Sequence, residues 1–150
     1  MFFEEGYIYH IYNQGNNRQK IFFRQENYFY FLQKIRKFIL PYADILAWCL
    51  MPNHFHLMVL VNKTVLNIIL KDTEESISRS FNDSIGIMLR SYTNAINKQQ
   101  KRTGKLFREK TKAECINCPK GLTPSFITAN RTTYFTAEIT ERQYPQVCFT

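Results

Sequence analysis

Long apolar runs are missing from this chain: no stretch approaches the roughly 20 consecutive apolar residues that span a bilayer, which excludes a membrane-spanning helix as a working hypothesis. The opening Met1-Phe2-Phe3-Glu4-Glu5 lacks the charged-then-apolar pattern of a secretory leader, so the expectation is a cytoplasmic protein without membrane contact. Acidic residues are scarce, 12 Asp and Glu against 20 Lys and Arg, and the formal charge of +8 favours a polyanionic partner, with nucleic acid the leading candidate. Cysteine is limited to Cys49, Cys115, Cys118 and Cys148. In a cytoplasmic chain these read as reduced thiols rather than a disulfide framework. Cys115-x-x-Cys118 lacks the second cysteine pair that a zinc site normally adds, which leaves a weak metal signal beside loop cysteines near Pro119 and Gly121. No internal repeat is present.

What is abundant is aromatic: 13 Phe and 9 Tyr in 150 residues, enough chain for one compact domain with a real core. Residues Gly6 to Asn13 are aromatic and β-branched and end at the turn-forming Gln14-Gly15-Asn16-Asn17, which predicts a first strand. From Gln25 to Leu40 the apolar positions Tyr28, Phe31, Leu32, Ile35, Phe38 and Ile39 recur at helical steps, and Pro41 closes the segment. Ile45 to Leu50 and His54 to Val61 read as two strands joined by a turn at Met51-Pro52-Asn53. A long helix follows over Glu74 to Gln100, with Ile77, Phe81, Ile85, Met88, Tyr92, Ala95 and Ile96 on one stripe. Lys105 to Ile116 is expected as a fourth, basic strand. The order βαββαβ is the ferredoxin-like pattern, an α+β fold with both helices on one sheet face and the first and third strands central. Residues 117 to 150 read as an insertion and the beginning of a C-terminal helix within the same domain.

The motif with the most chemistry is Met51-Pro52-Asn53-His54-Phe55-His56. Strand alternation puts His54 and His56 on one face and Phe55, Leu57, Val59 and Val61 on the other. Converging imidazoles suit a metal ion, although spacing alone leaves open two half-exposed polar side chains. Seven cations lie close together: Lys98, Lys101, Arg102, Lys105, Arg108, Lys110 and Lys112, with Glu109 among them. They form either a solvated charge run or a track for a DNA backbone. Arg18, after Gly15-Asn16-Asn17, adds a guanidinium suited to phosphate. His10 is either a structural histidine, the favoured reading, or a neighbour of the site on the adjacent central strand. Ile8, His10 and Tyr12 share a face whose direction the spacing does not set.

Together, His10-Ile-Tyr-Asn-Gln-Gly-Asn-Asn-Arg18, Met51-Pro-Asn-His-Phe-His56 and Arg102-Thr-Gly-Lys-Leu-Phe-Arg-Glu-Lys-Thr-Lys-Ala113 resemble the single-tyrosine HUH transposases of insertion sequences, and within them the REP-associated tyrosine transposases. The resemblance covers residues 6 to 116. It implies a βαββαβ sheet, a homodimer, and a divalent cation, Mg²⁺ or Mn²⁺, held by His54 and His56. It also implies metal-assisted cleavage and rejoining of single-stranded DNA, with a hairpin nearby, through a 5′-phosphotyrosine link. In that family the nucleophile opens a Tyr-Ile-x-x-Asn-Pro motif on a helix after the fourth strand. No such motif occurs here, so the resemblance places the nucleophile beyond Thr150 and makes the chain a truncated form. Tyr92, with Asn97 on the same helix, is the fallback; Tyr134 and Tyr144 rank below it. A non-catalytic nucleic-acid-binding module with an aromatic sheet is the alternative, and a small zinc protein using Cys115 and Cys118 is a third, weaker reading.

Overall fold

The computed structural model describes residues 3–62 and 74–117, with the backbone alone for 74–79. The expectations for Cys118, Tyr134, Tyr144, Cys148 and the C-terminal insertion lie outside the described residues. The elements are β1 (Ile8–Gln14), α1 (Gln25–Phe38), β2 (Ala43–Met51), β3 (His54–Val61), α2 (Glu74–Gln99) and β4 (Lys112–Cys115). The strands form one antiparallel sheet in the order β2-β3-β1-β4, so β1 and β3 are central. This is the ferredoxin-like α+β arrangement expected from the sequence. None of the described helices is long and apolar enough to cross a membrane.

One face of the sheet carries the core. Phe55, Leu57, Val59 and Val61 of β3 are buried, as are Tyr9 and Ile11 of β1. Against them pack Phe31 and Ile35 of α1, and Phe81, Ile85, Met88, Tyr92 and Ile96 of α2. Phe31 is the hinge of this packing, with its ring centroid 5.1 Å from Phe55 and 4.9 Å from Tyr92. Both helices therefore cover the same face. Slipping β3 by one residue would expose four buried apolar side chains, a cost of about 6–12 kcal/mol. The even-numbered residues of β3 are thereby held on the open face.

The two-residue turn between β2 and β3, Pro52-Asn53, is gripped by the segment that follows β1. Gly15 N–H donates to the Asn53 carbonyl at 2.7 Å, and the N–H groups of Ile21 and Phe22 both donate to the Pro52 carbonyl, at 2.7 and 3.1 Å. Between these anchors a short 3-10 turn, Asn16–Arg18, carries Asn17 and Arg18 at positive φ, 53° and 57°. That tight path brings the Gln19 backbone against Gly15, where an added Cβ would lie 2.1 Å from the Gln19 carbonyl oxygen.

The fourth strand is shorter than the expected Lys105 to Ile116. Leu106 and Phe107 are adjacent yet both buried, 1 % and 6 % exposed, which does not suit a regular strand with one face open. The chain bends there, meets the end of β1 through an isolated bridge between Gly15 and Phe107 and through the Arg108 N–H donating to the Gln14 carbonyl at 2.9 Å, then forms a regular ladder from Lys112. Cys115 is disulfide-bonded, which corrects the expectation of four reduced thiols. A disulfide sulfur is not a thiolate ligand, so the zinc reading loses support at this residue.

Gly15→Ala is expected to lower the unfolding free energy by about 1–3 kcal/mol through steric overlap at Gln19. Chemical denaturation measures this directly; an unchanged midpoint would mean the close approach is dispensable.

Candidate functional site

The open face is built from even-numbered residues of the two central strands and their edge neighbours. Across the sheet run three rows: Met51, His54 and Gln14; Cys49, His56, Tyr12 and Lys112; Ala47, Met58, His10 and Glu114. His54 and His56 are thus on the open face, as the alternation requires. Their rings stand perpendicular with centroids 5.1 Å apart.

His10 joins them, the less favoured of the two placements that the sequence leaves open for it. Its Nε2 lies 2.8 Å from His56 Nδ1, and the two rings stack with centroids 5.0 Å apart. Tyr12 continues the stack, 4.7 Å from His10 and 5.6 Å from His56. The missing signal was register: only the pairing of Tyr12 with His56 and His10 with Met58 tells which face β1 shows.

Hydrogen bonds constrain the imidazole tautomers. His54 Nδ1 lies 2.6 Å from Asn53 Oδ1. A carbonyl oxygen only accepts, so His54 carries its proton on Nδ1 and keeps the Nε2 lone pair. When His56 donates from Nδ1 to His10, its own Nε2 lone pair is released in the same way. Protonation is disfavoured for all three rings. Burial pushes the His56 pKa down to about 4, with His10 and then His54 adding repulsion. Burial also lowers those of His10, where Glu114 opposes the shift, and His54. Neutral imidazoles with directed lone pairs are competent metal ligands.

A cleft of about 250 Å³ opens over this face, lined by Tyr12, Asn13, Gln14, His54, His56, Arg108, Lys110 and Lys112. The cationic wall is held by a buried residue. Asn13, 5 % exposed, donates from Nδ2 to the Arg108 carbonyl at 3.2 Å and to Thr111 Oγ1 at 2.9 Å, while its Oδ1 accepts from Gln14 N–H at 2.7 Å. Arg108, Lys110 and Lys112 are exposed. Of the cations singled out in the sequence, these three reach the cleft. Arg18, Lys98 and Lys101 are exposed outside its lining. Lys105 pairs with Glu109 at 2.9 Å, and Arg102 donates to the Lys105 carbonyl at 3.2 Å, bracing the loop after α2.

The fallback nucleophile is corrected. Tyr92 has no exposed surface, its hydroxyl donates to the Ile21 carbonyl at 2.8 Å, and burial raises its pKa far above the ordinary value. Asn97 is likewise turned away, donating to the Gly104 carbonyl at 2.8 Å. The tyrosine lining the cleft is Tyr12. Its hydroxyl donates to Glu114 Oε1 at 2.6 Å, and burial together with that carboxylate pushes its pKa up to about 12.

Two imidazoles fit half a coordination shell. Among the described residues no group of three or more His, Cys, Asp or Glu is gathered as a metal site; water or a bound oxyanion would be suitable partners to fill the rest of the shell. The adjoining cations disfavour a bare dication and favour one that arrives with phosphate.

No family model matches the chain, and no curated protein matches it. Among solved structures it is similar to a REP-associated tyrosine transposase bound to a REP hairpin, at 14 % identity and a TM-score of 0.45, over 86 % of this chain. The chain spans 65 % of that transposase.

Because the His56 pKa is depressed from 6.5 to about 4, the unfolded state binds more protons between those values. Stability is expected to rise with pH through that window and to fall as acid is added. Denaturant titrations across pH 4 to 6.5 should show this slope, shallower in His56→Gln. A His56 proton-NMR midpoint near 6.5 would contradict it.

Proposed function

We propose that this domain binds single-stranded DNA across its open sheet face and places one backbone phosphate against His54 and His56, as a domain of the HUH transposase type. The observation that carries the reading is the convergence of two neutral histidines, His54 with its tautomer set by Asn53, and the three cations Arg108, Lys110 and Lys112 in one cleft. Arg108 and the lysines would attract and neutralise the strand. Asn53 and His10 would keep the two imidazole lone pairs available. A divalent cation, Mg²⁺ or Mn²⁺, when bound by those imidazoles, would supply Lewis acidity at a phosphodiester oxygen. In the full reading the domain serves single-strand cleavage and rejoining through a 5′-phosphotyrosine link, in a homodimer whose DNA carries a hairpin.

A second reading, a strand-binding domain that does not cut, is favoured by a specific observation. The hydroxyls of Tyr92 and Tyr12 are both committed to acceptors, and both phenols are made weakly acidic by their surroundings. Neither is an activated nucleophile. Incubation with an end-labelled oligonucleotide and Mn²⁺ separates the two: a covalent protein–DNA adduct supports cutting, and binding without an adduct supports the second reading.

Metal and strand should bind cooperatively, because the cationic wall opposes Mn²⁺ alone and a phosphate relieves that repulsion. An oligonucleotide is expected to tighten Mn²⁺ binding at least fivefold, and Mn²⁺ to tighten the oligonucleotide by the same factor. In His54→Ala/His56→Ala both effects should vanish. Equal coupling in that variant, measured by calorimetry, would overturn the role of the histidines. Replacing Arg108, Lys110 and Lys112 together by alanine should weaken binding and reduce the slope of log affinity against log salt by about two units.

A further inference from the structure

A second cleft adjoins the turn that precedes the histidines. It has a volume of about 440 Å³, shares Pro52 with that turn, and is lined by Lys20, Phe23, Arg24 and Tyr28 among others; among the described residues its lining holds no acidic one. Extended backbone sends neighbouring side chains to opposite sides. Phe22 points inward, 2 % exposed and stacked on Tyr28 at 4.3 Å. Phe23 consequently points out and is 39 % exposed.

The segment is rigid. Phe23 and Arg24 both donate their N–H to Asn27 Oδ1 at 3.0 Å, and buried Asn27 donates in turn to Gln99 Oε1 at 2.9 Å. An outward phenyl ring on a tethered backbone, with Lys20 and Arg24 in the same lining, has the make-up of a base-stacking subsite for single strands. Pro52 is two residues from His54, and its carbonyl receives the N–H groups of Ile21 and Phe22. One turn thus contributes Pro52 to the second cleft and leads into His54 of the first.

We infer that Phe23, Lys20 and Arg24 form a second nucleotide-binding subsite, which holds the continuation of a DNA strand whose phosphate lies at the histidine cleft. One base stacks on Phe23, and Lys20 and Arg24 neutralise the adjoining phosphates. The inference rests on the strand-binding reading given above.

The test is fluorescence anisotropy with a graded length series of labelled oligothymidylates. Phe23→Ala is expected to weaken long strands about tenfold, from the loss of one stacked base, and to leave the shortest bound strands unaffected. Phe23→Trp should retain full affinity. Lys20→Ala/Arg24→Ala should lower the salt slope for long strands by roughly one to two units. All three variants alter exposed side chains, and unchanged melting temperatures would confirm intact folds. If the unaltered protein binds strands but Phe23→Ala binds every length equally well, the subsite is overturned and the strand-binding reading survives. If the unaltered protein binds no strand at all, both fall.

Discussion

The burial of Phe55, Leu57, Val59 and Val61 is the constraint from which the cleft follows. With these four side chains in the core, His54 and His56 have only the open face left to occupy. Pairing with β1 in a single register then brings His10 and Tyr12 alongside them. The grip of Gly15, Ile21 and Phe22 on the Pro52-Asn53 turn fixes the end of β3 in space. Apolar packing on one face thus positions polar chemistry on the other, without a local network having to hold the histidines by itself.

Electrostatics divides the cleft into two kinds of group. The imidazoles are kept neutral, by burial and, at His56, by repulsion from its neighbours, so they present lone pairs rather than charges. The positive charge sits on Arg108, Lys110 and Lys112, whose backbone is tied to β1 by Asn13. A phosphate can satisfy both kinds at once: its charge meets the cations, and any metal it accompanies meets the imidazoles. Under the proposed reading, the aromatic groove beyond Pro52 would hold the next part of a strand.

Much of this was legible in residue order. The alternation in residues 54 to 61 was enough to place both histidines on a shared, non-core face, because period two admits only two faces. The helical stripes placed α1 and α2 within a residue or two, and the βαββαβ order led to the central positions of β1 and β3. Other parts depend on register or on tertiary contact. His10 has no periodic signature of function; its role appears only when β1 is aligned against β3. The bend at Leu106-Phe107 arises from burying neighbouring side chains, which shortened the fourth strand against a pattern that looked continuous. Tyr92 was already on the core stripe of its helix, and its hydroxyl bond to Ile21 explains how a polar group is accommodated there. The outward ring of Phe23 follows from the inward stacking of Phe22 on Tyr28, a contact between chain segments that no spacing rule contains.

The central claim is that one ion is shared by the His54 and His56 imidazoles and a DNA phosphate. Electron spin echo modulation of Mn²⁺ added to the protein with a single-stranded oligonucleotide tests it most directly. The account expects imidazole ¹⁴N and phosphate ³¹P couplings on the same Mn²⁺ centre, with the nitrogen signal lost in His54→Ala/His56→Ala. A ³¹P coupling without ¹⁴N in the unaltered protein would show the ion riding on DNA alone, and would contradict the account.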